Sequence, residues 1–107
     1  MNFTLWNLFA DLSKGAGRGE EVLTLLENSS VSIERIVSRH YSSPPGFWYD
    51  QDGDEWVIIL RGNATVEFES GESVEMGAGD YLDIPRHVKH RVARTGEETI
   101  WLAVHLK

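Results

Sequence analysis

From residue 21 onward the chain is divided into short apolar runs by turn-forming clusters, at intervals of about ten residues, and that rhythm admits little besides a β-sandwich or β-barrel. Glu21–Leu26 and Val31–Val37 are aliphatic-rich and separated by Asn28-Ser29-Ser30, a polar turn cluster. Either can be a strand, although the first could also form a short helix. Ser43-Pro44-Pro45-Gly46 interrupts the pattern, because the prolines remove backbone donors and the glycine tolerates positive φ. Trp56–Leu60 is continuously apolar, as expected of a strand covered on both faces. In Thr65–Glu69 alternation returns, with Val66 and Phe68 assigned inward and the carboxylates to water. Ser70-Gly71-Glu72 closes a hairpin, and the turn signals at Gly77–Asp80 and Thr95–Glu98 lead to a last strand over Thr99–Leu106. These elements predict an all-β fold, a small antiparallel jelly-roll barrel.

Residues 21–107 therefore read as one barrel domain and residues 1–20 as an N-terminal extension. In the extension Phe3, Leu5, Trp6, Leu8, Phe9 and Leu12 make an apolar patch too short to be stable alone, so it should pack on the barrel or on a partner subunit. Gly15, Gly17 and Gly19 alternate but follow no strand and lead to no Gly-Lys-Ser/Thr, so they read as a connector and not as a phosphate cradle. A chain of 107 residues buries roughly 60–70% of its unfolded surface, enough for a single core. Cysteine is absent, which removes disulfides, thiolate catalysis and cysteine-ligated zinc. The apolar start lacks a basic n-region and soon meets Asp11, a poor secretory signal, and no apolar run approaches transmembrane length. A soluble, cytoplasmic protein is expected. With a net charge of −7 and no basic stripe, nucleic acid is not expected as a partner.

Two segments carry more specific information. Gly79-Asp80-Tyr81-Leu82-Asp83-Ile84-Pro85-Arg86-His87-Val88-Lys89-His90 has glycine, proline and histidine at the spacing of the second conserved motif of the cupin family, with His87 in place of the motif's glycine. Glu55 and Gly62 match the glutamate and glycine that close the family's first motif. The chain thus resembles a small single-domain cupin over roughly residues 31 to 106, with a degenerate first motif. Where cupins place a His-x-His pair, this sequence has Tyr49 and Gln51 in one register or Trp48 and Asp50 in the other. The resemblance implies a cavity that binds a small molecule, a divalent metal such as iron, manganese, zinc or nickel, and a homodimer formed by sheet addition or N-terminal packing. It leaves open a metal-dependent dioxygenase, isomerase or lyase, and equally a binding or sensing module without turnover.

Within the resemblance His90 falls on a metal-binding histidine, and Glu55 is its natural companion, since a carboxylate opening an apolar strand is costly to bury alone and cheaper beside a cation. Asp50 is the better third ligand for a hard ion and Gln51 the less usual one. Without a metal, Glu55 with His87 or His90 could serve as an acid/base pair. His87 lies at a turn and is either a residue of the cavity mouth or a surface histidine. Alternation puts His90, Val92 and Arg94 on one face, so Arg94 is expected to point inward and to hold a carboxylate or phosphate. His105 shares the Trp101 and Ala103 face, and Trp48, Tyr49, Tyr81 and Trp101 could wall the pocket. His40 reads as rim or surface.

Overall fold

In the computed structural model, residues 2–12 and 18–107 are described. Their strands are β1 (Gly19–Glu27), β2 (Val31–Arg39), β3 (Glu55–Arg61), β4 (Asn63–Phe68), β5 (Ser73–Gly77), β6 (Tyr81–Ile84), β7 (His90–Thr95) and β8 (Thr99–Leu106). No helix occurs among the described residues, so Glu21–Leu26, open to either reading from sequence, is strand. All pairings are antiparallel and sort into a five-stranded sheet, in the order β1-β2-β8-β3-β6, and a three-stranded sheet, β5-β4-β7. The expected barrel thus takes the form of two sheets. Most of the glycine stretch expected as a connector lies outside the described residues, and only Gly19 is seen, opening β1.

Side-chain parity builds the core. Val57 and Ile59 of β3, Ile84 of β6, and Trp101 and Ala103 of β8 face Ala64 and Val66 of β4 and Met76 of β5 in one cluster. Ile59 and Ala103 are completely buried. Trp101 is the largest member, and its indole Nε1 donates to Ser38 Oγ at 3.1 Å, so its one polar atom is satisfied inside the core. The apolar run Trp56–Leu60 is less symmetrical than expected: Val57 and Ile59 are buried, whereas Trp56, Ile58 and Leu60 are half-covered on the outer face. Trp56 there meets Tyr81 at 5.4 Å between ring centroids.

The outer face of the large sheet carries the N-terminal segment. Arg35, buried on that face, donates through Nη1 to the carbonyls of Leu8 at 3.0 Å and Ala10 at 2.8 Å. The Phe9 ring lies 5.0 Å from the Arg61 guanidinium. Phe3, Leu5 and Trp6 nevertheless stay exposed, as do Val22, Leu23, Leu25 and Leu26 of the edge strand β1.

Turns place the strands in register. Gly62 joins β3 to β4 at φ +90, a conformation that L side chains rarely adopt, and a Cβ there would overlap the Glu98 carbonyl oxygen and reach Thr99 Cα at 2.8 Å. Gly62→Ala is expected to lose about 2–4 kcal/mol of stability, read as a lowered urea midpoint with an unchanged slope.

Candidate functional site

A cavity of about 200 Å³ opens between the two sheets. Val57, Val66, Ile84, Val92 and Trp101 form its apolar wall, and Glu20, Glu34, Gln51, Glu55, His90 and His105 its polar side. The polar residues arrive by parity. On β3, Glu55 shares the inward face with Val57 and lies opposite His105 of β8. On β2, Glu34 shares a face with Ile36 and lies opposite Ala103. His90 opens β7 opposite Phe68 of β4.

The register left open between residues 48 and 51 is decided by the backbone. Tyr49 N donates to His90 O at 2.7 Å and His90 N to Tyr49 O at 3.2 Å, an isolated bridge that lays this loop against β7. Tyr49 consequently stacks on the His90 ring, with centroids 5.4 Å apart, and Tyr49 and Gln51 line the cavity. Asp50 points the other way, with Oδ1 2.9 Å from His87 Nδ1 on the exposed turn after β6. His87 sits at φ +63 and, like Trp48 and Asp50, is not among the cavity-lining residues. Tyr81 is on the outer face and walls nothing.

Arg94 corrects a sequence expectation. Thr65 of β4 pairs with Arg94 while the next residue, Val66, pairs with Val92, so Ala93 is an extra residue in β7. This bulge reverses parity: His90 and Val92 face the cavity, Arg94 is exposed, and Thr95 is buried.

Within the cavity the polar groups form one connected set. His90 Nδ1 lies 2.8 Å from the Val88 carbonyl, which can only accept, so Nδ1 carries a proton. His90 Nε2 faces Glu55 Oε1 at 3.4 Å. Gln51 Nε2 donates to the same Glu55 oxygen at 3.4 Å, while Gln51 Oε1 lies 3.2 Å from His105 Nδ1. His105 Nε2 is 3.0 Å from Glu34 Oε1 and 3.9 Å from Glu55 Oε2. Sequence reasoning missed Glu34 and Glu20. No local signal marked Glu34, because alternation in β2 groups it with Ser32, Ile36 and Ser38 on the more polar of the strand's two faces.

Burial and charge act against each other here. For His90 burial is the largest influence and lowers the pKa, but the hydrogen bond to Glu55, the Val88 carbonyl and the Glu55 charge together outweigh it and raise the pKa above the ordinary histidine value. Glu20 is also raised, first by burial and then by Glu34. Tyr49 is raised by burial, followed by the nearby Glu20, Tyr41 and Glu55. Both His90 and Glu20 hold their protons more tightly folded than unfolded, so the stability they contribute is full below their unfolded pKa values and is lost as pH rises through the folded ones. For His90 that loss falls above the ordinary histidine value. Melting temperature should therefore drop from mildly acidic to mildly alkaline pH, and the drop should be shallower in Glu55→Gln.

The donor set can be tested against a divalent ion. Glu55 and His90 are suitable donors but bond to each other. Asp50 is turned to His87, and the Gln51 oxygen is engaged by His105. Among the described residues no three His, Cys, Asp or Glu side chains form a group that could hold a metal. The residues as arranged do not fit a resident divalent ion.

The Cupin domain family model matches residues 39–105. The chain belongs to the cupin family. A structure from Ralstonia eutropha JMP134, described as that of a proposed mannose-6-phosphate isomerase, is 46% identical, with a TM-score of 0.90 over 97% of this cupin and 98% of that chain. A cupin superfamily protein from Desulfitobacterium hafniense DCB-2 is 20% identical, with a TM-score of 0.79 over 99% and 94%. An RmlC-like cupin with a double-stranded β-helix fold from Methanocaldococcus jannaschii is 19% identical, with a TM-score of 0.74 over 99% and 92%. Among curated proteins no sequence matches this cupin. Among its described residues no helix is long and apolar enough to cross a membrane.

Proposed function

We propose that this cupin binds a small polar molecule in the cavity and that Glu55 and His90 move a proton on it. The observation that carries this reading is the contact between the Glu55 carboxylate and the buried His90 imidazole, held at 3.4 Å on the polar side of an otherwise apolar cavity. Such a pair suits proton abstraction next to a carbonyl. One group takes the carbon-bound proton while the other gives a proton to the carbonyl oxygen; the first then returns its proton to the neighbouring carbon as the second takes back the proton of the original hydroxyl, which becomes the new carbonyl. Isomerisation of a hydroxy-carbonyl compound needs only these steps, and the description of the 46%-identical relative makes it the reaction class to test first. Gln51 and His105 hold Glu55 in place, and Tyr49 stacked on His90 fixes the imidazole plane. No step is routed through a metal ion.

The test is interconversion of mannose 6-phosphate and fructose 6-phosphate in deuterated water, with elemental analysis of the same protein sample. Deuterium uptake at the exchanged carbon, without stoichiometric metal, supports the reading. A divalent ion bound one to one and released by Glu55→Ala and His90→Ala would replace it with the metal-centred alternative. Soluble, cytoplasmic operation belongs to the same proposal, as does a homodimer. Supporting the dimer, β1 is an edge strand with Leu23 at 47% exposure beside the exposed Trp6 on the outer face of the large sheet, a surface suited to a second copy of the chain.

A further inference from the structure

We propose that the cleft between Arg18, His40 and Arg94 is an oxyanion site that takes a phosphate group, separate from the cavity. The cleft measures about 240 Å³ and is lined also by Tyr41, Ser42 and Thr95, with no carboxylate among its lining residues. That composition is anomalous for a chain of net charge −7. Elsewhere among the described residues, Arg39, Arg61, Lys89, Arg91 and Lys107 each stand beside a glutamate, Arg35 donates to two carbonyls, and Arg86 is the other arginine outside an ion pair. Arg18 and Arg94 have no carboxylate within ion-pair distance among the described residues, yet they converge on one cleft with an imidazole. Like charges gathered in this way repel, and an anion between them reverses the sign of the interaction.

The cleft is built by backbone features. The Ala93 bulge turns Arg94 out of the sandwich, and bulges are a recurrent means of re-aiming a side chain beside a site. His40 follows β2 at φ +46, with its N–H donating to Gly96 O at 2.8 Å. The floor is pinned by Thr95, whose Oγ1 accepts from Tyr41 N at 2.7 Å and donates to Tyr41 O at 2.8 Å. Two guanidinium groups can each present paired N–H donors to phosphate oxygens, and hydroxyls and the imidazole can take the remaining ones. Arg18 lies two residues before Glu20 and Arg94 two after Val92, so the cleft and the cavity are close along the chain although they share no lining residue. The acidic cavity would repel a phosphate, whereas the cleft attracts one. The group can come from inorganic phosphate or from a phosphomonoester whose carbon end enters the cavity, and only the second source rests on the reading of the cavity given above.

Titration of the full-length protein with inorganic phosphate and with mannose 6-phosphate at fixed ionic strength, followed by phosphorus NMR, tests the site. Binding of either ligand at millimolar concentration is expected, and should weaken about tenfold or more in the surface double variant R18Q/R94Q. Tighter binding of the sugar phosphate than of inorganic phosphate identifies the phosphomonoester as the source; equal affinities identify free phosphate. No binding by wild type, or equal binding by the double variant, overturns the proposal. Because inorganic phosphate need not enter the cavity, its binding survives even if the proton-transfer reading fails.

Discussion

Glu55→Gln is expected to lower the rate of deuterium uptake into a bound hydroxy-carbonyl substrate by about 10²–10⁴-fold, the usual contribution of a positioned acid or base. The amide keeps the size of the carboxyl group and can accept a hydrogen bond from His90, but it cannot take up a proton at neutral pH. Substrate affinity should change much less than turnover, because the apolar wall of Val57, Ile84 and Trp101 is untouched. A rate equal to that of wild type would remove Glu55 from the chemistry. Gln51→Ala should show a smaller loss of the same kind, since Gln51 acts by donating to Glu55 at 3.4 Å.

Trp101→Ala is expected to destabilise the fold by about 3–5 kcal/mol, as truncation of a buried aromatic leaves both a cavity and lost contacts. Trp101 is 4% exposed and packs against residues of both sheets, and its loss also strips Ser38 Oγ of a donor. A domain of this size has about 5–15 kcal/mol in total, so this single change can consume much of the margin. Denaturant unfolding followed by far-UV circular dichroism reads the effect directly. A loss below about 1 kcal/mol would mean that the sheets close over the vacated space.

How much of this was legible in the sequence follows from how each feature is encoded. Strands were legible because alternation and turn residues are local, and β4 was read with Val66 and Phe68 inward, as found. The meeting of Glu55 and His90 depended on a motif resemblance, since residues so far apart in sequence carry no local sign of contact. Arg94 was misplaced because parity counting assumes an unbroken strand, and one extra residue at Ala93 inverts everything after it. The choice between Tyr49 with Gln51 and Trp48 with Asp50 could not be made from composition. It rests on the backbone bridge between Tyr49 and His90, which forms only when the loop lies on β7. Glu20 and Glu34 resembled ordinary solvated strand acids, and only assembly of β1 and β2 into the large sheet turns them toward the cavity.

The central claim, that Glu55 and His90 share a proton within the cavity, is tested most directly by following the His90 ring in heteronuclear NMR as pH is varied, in wild type and Glu55→Gln. His90 should titrate above the ordinary histidine value in wild type, and removing the charge of Glu55 should let burial dominate and bring the midpoint down. The same His90 midpoint in both proteins would contradict the claim.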